Sequence, residues 1–252
     1  MLLIVGGAHD TDARSAVAWL ELKLGPRRAA LLDAVDLSRP GWRLFTNDPG
    51  GGAIVASRRV ISVREVTAVL VRRMAVYPQE LGHVHADDRA YVASEMTALL
   101  AWWLRVVPAP VLNRPGGGAM LCGPGWRPER WRALASRLGF PVVHLRREIS
   151  RPTLLPTVVT ELVSVGEVIV GEAPRSLADC LLALARTAKV ALLYAAFDQS
   201  GTLVTAHTFP PLSEDLLEAV AQYAGLREEK DRVGIERLPG VYEGASRVGG
   251  YI

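Results

Sequence analysis

The chain has 252 residues, half of them apolar, and a formal net charge of +3. That length supports one large or two small domains with real cores, while the apolar runs are too short to span a bilayer and no dense basic stripe with interleaved aromatics points to nucleic acid. The opening MLLIVGG lacks the positive start and long apolar stretch of a signal peptide, so a cytoplasmic protein is expected, and two isolated cysteines, Cys122 and Cys180, suit a reducing compartment. Arginine supplies nearly all the positive charge, lysine standing only at Lys23, Lys189 and Lys230. Guanidinium is the better fork for carboxylate and phosphate.

In chain order, Leu2–Val5 reads as an apolar strand, followed by Gly6, Gly7, Ala8, His9 and Asp10. Thr11 or Asp12 caps a helix through Lys23, with Ala16, Val17, Leu20 and Leu24 facing inward. Strand, glycine turn and helix N-terminus together make an anion site, because free N–H groups and the helix dipole point the same way. The glycines do not form a dinucleotide fingerprint, and close packing of the turn accounts for them equally well. A strand from Ala29 to Val35 ends near Asp33 and Asp36. Trp42–Thr46 and Ala53–Ala56 read as a hairpin across Asn47-Asp48-Pro49-Gly50-Gly51.

The stretch from Thr67 to Gly118 organises the first half. Ala68–Val71 is short, apolar and β-branched, as a buried strand requires, and it stops at Arg72-Arg73. His83 and His85 alternate in the loop that follows, so an extended backbone puts them on one face, a spacing found at metal sites, with Glu80 or Asp87 as the nearby third ligand; an exposed loop is the alternative. Tyr91–Val106 has helical spacing at Val92, Met96, Leu99, Leu100 and Trp103, with Asp87 or Asp88 as cap. Pro110–Leu112 is a further strand, ending at Asn113-Arg114. Such a βαβ unit holds ligands beyond the carboxyl ends of its strands, which gathers Arg72, Arg73, Asn113 and Arg114 near one another. An ion pair between Arg73 and Glu95, joining strand to helix, is the competing and compatible expectation.

Beyond three glycines and a loop at Cys122–Trp126, Pro128–Leu138 is a helix with proline in its first turn and Gly139 behind it. Val142–Leu145 is a short strand, and Arg146, Arg147, Glu148 and Arg151 form a solvated face. Thr157–Val165 and Val168–Val170 pair across Gly166-Glu167. A helix beginning at Ser176 or Asp179 runs through Arg186. Val190–Phe197 meets Asp198, and Leu203–Phe209 returns antiparallel after Ser200-Gly201. A helix from Glu214 to Ala224 is capped by Ser213 and Gly225, and a glycine-rich tail begins at Val233, loose or lying across a partner.

The order of these pieces resembles the ATP-grasp superfamily, specifically the proteins whose pre-ATP-grasp domain is like that of microviridin-type peptide ligases. Leu2–Gly7, VLVRR ending at Arg73, the helix with Glu95, LNRPGGG, Ala133–Val142, the hairpin Val163–Pro174 and the strand pair Leu192–Ser213 carry the resemblance. It implies an α/β fold: a Rossmann-like, mostly parallel sheet in residues 1–118, then a truncated ATP-grasp-like α+β domain in residues 119–252. The departures bear on chemistry. Where the family has a lysine before the helix Arg130–Leu138, Pro128 stands, flanked by Arg127 and Arg130. The lid subdomain with the second nucleotide-binding lysine is largely missing between Val143 and Val163. The acidic metal ligands reduce to Asp198, because Ala206-His207-Thr208-Phe209 offers neither the family's Glu nor its Asn. Phosphoryl chemistry on ATP needs charge on the phosphates and a magnesium ion held by carboxylates.

The resemblance therefore implies a noncatalytic binding or scaffold partner in a peptide or natural-product modification pathway, with no cofactor. The alternative is an ATP-dependent carboxylate–amine ligase using ATP and Mg through an unconventional or subunit-completed site. The expected ligand-binding set is Gly6, Gly7, His9, Asp10, Arg72, Arg73, Asn113 and Arg114, with Asp198 as the metal residue. The expected partner is another protein or peptide of the same pathway, or a second copy in a homo-oligomer, with neither nucleic acid nor membrane. A metal-dependent enzyme built on His83, His85 and Asp87 is a third expectation.

Overall fold

The computed structural model describes residues 1–116, 121–143 and 157–226. Gly117, Gly118, His144, Leu145, Arg146, Arg147, Glu148, Arg151 and the tail from Val233 lie outside the described residues. Chain order in the first half is β1 (Leu2–Val5), α1 (Thr11–Leu24), β2 (Ala29–Leu32), α2 (Ala34–Leu37), β3 (Ala53–Ala56), β4 (Arg59–Ser62), β5 (Ala68–Val71), α3 (Arg89–Val106) and β6 (Val111–Leu112). The second half adds α4 (Pro128–Arg137), β7 (Thr160–Val165), β8 (Val168–Val170), α5 (Arg175–Ala188), β9 (Leu192–Phe197), β10 (Leu203–His207) and α6 (Glu214–Tyr223).

Two four-stranded sheets result. The first, in the order β2-β1-β5-β6, is wholly parallel, and the second, β10-β9-β7-β8, is antiparallel throughout. The fold is thus mixed α/β with a parallel sheet followed by an α+β half. β1 and β5 are buried along their whole length, as parallel strands covered on both faces must be. One apolar cluster packs α3, with Trp103 and Leu104, against one face of the parallel sheet. A second is shared: Leu2, Ile4, Leu70 and α1 meet Leu216, Val220, Val165 and Leu192 of the other half. A third lies between α4, α5 and the antiparallel sheet. Among the described residues no helix is long and apolar enough to cross a membrane.

Several boundaries differ from expectation for identifiable reasons. β2 stops at Leu32 because Asp33 turns the chain into α2, its Oδ1 accepting from Asp36 N at 2.9 Å. The turn at Asp48–Gly51 does form, yet Trp42–Thr46 contributes only the Arg43–Ala53 bridge; β3 instead pairs with β4. That hairpin turns on Ser57 and Arg58, both left-handed at φ 47° and 60°, a conformation usually left to Gly or Asn. Its cost is offset by Arg58, whose guanidinium reaches Asp33 and Asp36 at 3.1–3.3 Å, and by Ser57 Oγ, which accepts from Leu31 N. α1 is capped by Asp10 rather than Thr11 or Asp12.

Candidate functional site

In the strand order β2-β1-β5-β6 the chain departs left from β1 and right from β5, so the crevice of an open parallel sheet lies where Val5 and Val71 end. Gly6 and Gly7 leave β1 there, and Arg72 and Arg73 leave β5. The glycines are explained by proximity. A Cβ on Gly6 would stand 3.1 Å from Ala13 Cβ and 3.2 Å from Leu31 Cδ1, and one on Gly7 would stand 3.3 Å from Glu80 Oε1. Asp10 Oδ1 already accepts from Ala13 N at 2.9 Å, so the α1 N-terminus carries its own anion. His9 is exposed.

The two arginines point opposite ways, as neighbours on an extended backbone do. Arg73 donates to Gly6 O and Ala75 O, each at 2.9 Å, and pairs with Glu80. Glu80 is brought there by the 3-10 turn Pro78–Glu80 and also accepts from Tyr77 N. The expected Arg73–Glu95 pair does not form: Glu95 lies on the exposed face of α3, and the loop carboxylate reaches Arg73 first. Arg72, 94% buried by its 6% exposure, donates from Nη1 to Pro210 O at 2.5 Å. Its guanidinium carbon lies 4.2 Å from the centre of the Phe209 ring, and Asp10 and Asp12 stand at 3.6 Å. Nε has no hydrogen-bond partner.

Asn113 and Arg114 end β6 but aim elsewhere. Asn113, left-handed at φ 65°, donates to Leu192 O at 2.6 Å and accepts from Ala191 N and Leu192 N at 2.9 and 3.0 Å. It thus clasps the start of β9. Arg114 gives its N–H groups to the carbonyls of Leu104, Arg105, Val107 and Ala109, closing the end of α3. Of the expected set, the structure brings Gly6, Gly7, Asp10, Arg72 and Arg73 together, and commits Asn113 and Arg114 to backbone.

The strand pair β9–β10 presents rings at one end, where the start of β9 meets the end of β10, and Asp198 at the other. Tyr194 and His207 are cross-strand partners and stack at 4.5 Å with 16° between their planes. His207 Nδ1 accepts from Phe209 N at 3.3 Å, which places the ring proton on Nε2. Burial lowers the His207 pKa, opposed by the charge of Glu161, so the ring is neutral. Burial, the charge of Glu161 and a hydrogen bond to it push Tyr194 up to about 12. Asp198 lies past β9, partly exposed; its Oδ1 accepts from Ser200 N, Ser200 Oγ and Thr202 N at 2.8, 2.6 and 3.0 Å. The Ser200 hydroxyl, foremost, lowers its pKa.

Asp198 stands on a cleft of about 540 Å³ bounded by Phe140, Pro141, Val159, Leu177 and Cys180. Asp179 also lines it and pairs with Arg175 at 3.9 Å. Magnesium with a nucleotide does not fit this donor set: the ion demands near-octahedral oxygen ligation anchored by carboxylates. Among the described residues, no group of three or more His, Cys, Asp or Glu could hold a metal ion. His83 bonds Ser38 Oγ at 2.8 Å while His85 lies 3.8 Å from Asp87, both histidines exposed, so each of the expected metal pair has a partner of its own. Sequence reading missed Phe209, Pro210 and Tyr194, and it offered Glu80 to the histidines rather than to Arg73; Phe209, expected within the strand, lies past the end of β10.

Neither a family model nor a curated protein matches the chain. Solved structures do. The macrocyclase MdnC from Microcystis aeruginosa MRC, bound with precursor peptide MdnA, matches at a TM-score of 0.62 and 12% identity over 89% of this chain and 99% of that one. The macrocyclase MdnB from the same source matches at 0.58 and 14% over 88% and 98%. A RiPP-associated ATP-grasp ligase from Chryseobacterium gregarium, in complex with ADP and a leader and core peptide, matches at 0.54 and 10% over 89% and 96%. At such identities the likeness is one of architecture, and the chain has the fold of the ATP-grasp ligases related to microviridin-type enzymes.

Proposed function

We propose that this chain is a noncatalytic protein of ATP-grasp fold that serves as a binding or scaffold partner in peptide modification, its partner a peptide or another protein of the pathway. The proposed division places a pre-ATP-grasp half at residues 1–118 and a reduced ATP-grasp half at residues 119–252. One observation carries the reading: the β9–β10 pair ends in the rings of Tyr194, His207 and Phe209, and Asp198 spends Oδ1 inside its own turn. Carboxylates that grip a divalent cation must be mutually close and have free oxygens; these groups do neither. The peptide partner is supported by the fold neighbours, MdnC being bound with a precursor peptide and the Chryseobacterium ligase with a leader and core peptide.

A thermal-shift titration with ATP and Mg tests the reading. A flat response is expected, unchanged in Asp198→Ala. The second reading, an ATP-dependent carboxylate–amine ligase completed by another subunit, rests on the carboxylate of Asp198 lining the cleft. Saturable stabilisation by ATP and Mg that Asp198→Ala abolishes would establish that reading and end the first.

A further inference from the structure

The switch point between β1 and β5 is where an open parallel sheet takes a ligand, and here the chain itself has entered it. Phe209 and Pro210, which follow β10, lie 137 and 138 positions beyond Arg72 in sequence; the Pro210 contact is 138 residues long-range. The Phe209 ring covers the face of the guanidinium and the Pro210 carbonyl takes one of its N–H groups. Thr208 Oγ1 reaches Cys122 O at 3.0 Å beside them. A buried arginine needs acceptors and a counter-charge. Pro210 provides an acceptor, Asp10 and Asp12 the charge, and the aromatic face replaces water.

We infer that Phe209 and Pro210 are the resident ligand of this crevice, an internal plug that closes the switch point and fastens the second half of the chain to the first. An external ligand must displace the plug or bind elsewhere, whether or not the protein acts on peptides. The arrangement also covers Cys122: the residue is 3% exposed and belongs to the apolar cluster against which Phe209 packs. Cys180 is equally buried but lies in the separate cluster under α4 and α5.

That separation provides the test. Pulse alkylation of the full-length protein at mild alkaline pH, read by mass spectrometry, reports each thiol's local opening. Phe209→Ala is expected to label Cys122 about tenfold faster than wild type, with Cys180 within about twofold. Both rates rising together, or neither changing, would overturn the plug. Should Phe209→Ala not fold, Arg72→Lys keeps the charge but loses the stacked fork; it is expected to speed Cys122 alone, and an unchanged Cys122 rate there is equally fatal.

Discussion

Asn113 is the polar clasp between the two halves, and its removal can be worked out bond by bond. In Asn113→Ala, the backbone N–H groups of Ala191 and Leu192 lose their acceptor and Leu192 O loses its donor. Leu192 and position 113 are buried, so water replaces these partners poorly. At about 1 kcal/mol net for each hydrogen bond the loss is about 3 kcal/mol. The left-handed backbone at φ 65° adds to this, because alanine tolerates it less well than asparagine, by about 1 kcal/mol. The expected total is about 4 kcal/mol, a large part of the ~5–15 kcal/mol that holds a domain folded. Asn113→Gly removes the same bonds without the strain and should cost about 3 kcal/mol. Urea unfolding at equilibrium measures both, the midpoint falling with little change in slope. The reasoning is refuted if Asn113→Ala stays within about 1 kcal/mol of wild type, or if glycine proves worse than alanine.

Arg114→Ala strips the donors from the last carbonyls of α3 and is expected to cost about 1–2 kcal/mol in a melt; Arg114→Lys should rescue little, since one ammonium cannot replace the planar fork. Arg73→Met leaves Glu80 beside the Gly6 turn without its partner, and a loss of about 3–5 kcal/mol is expected by urea unfolding, with Glu80→Gln milder. His207 sets a pH dependence. Burial depresses its pKa in the folded chain below the ordinary 6.5, so the unfolded chain takes up the proton first; stability is full above pH 6.5 and declines as pH falls from there toward the folded pKa. The same slope in His207→Gln, measured by urea midpoints across that range, would refute the assignment.

What the sequence made legible was local. Runs such as Ala68–Val71, helical spacing along α1 and α3, and the Ser213 cap each follow from the chain within one turn or strand, and their order led to the right architecture. What stayed hidden was remote or compensated. The β3–β4 turn carries no glycine because Arg58 is held by two buried aspartates, one of them 25 residues away, and no local turn rule sees such a partner. Glu95 on the following helix is one partner the sequence suggests for Arg73, but the Pro78 turn delivers Glu80 to the guanidinium instead. Asn113 and Arg114 had the residue types of a ligand site. Their partners, backbone groups of β9 and α3, carry no sequence signature at all.

The ring-lined end of β9–β10 and the occupied crevice have a common electrostatic logic. Two carboxylates facing each other without a cation raise each other's pKa and push the strands apart, so a sheet end without a cation is more stable with neutral rings. Tyr194 held protonated by burial and Glu161, and His207 held neutral by burial, satisfy that demand. Arg72 cannot be neutralised by losing its proton; it needs a π face, a carbonyl and nearby carboxylates, and Phe209, Pro210, Asp10 and Asp12 provide them. This also separates the two proposals experimentally. A triphosphate that stabilises the protein through Asp198 would remove the noncatalytic reading yet leave the plug intact, whereas a Cys122 indifferent to Phe209 would remove the plug and say nothing about ATP.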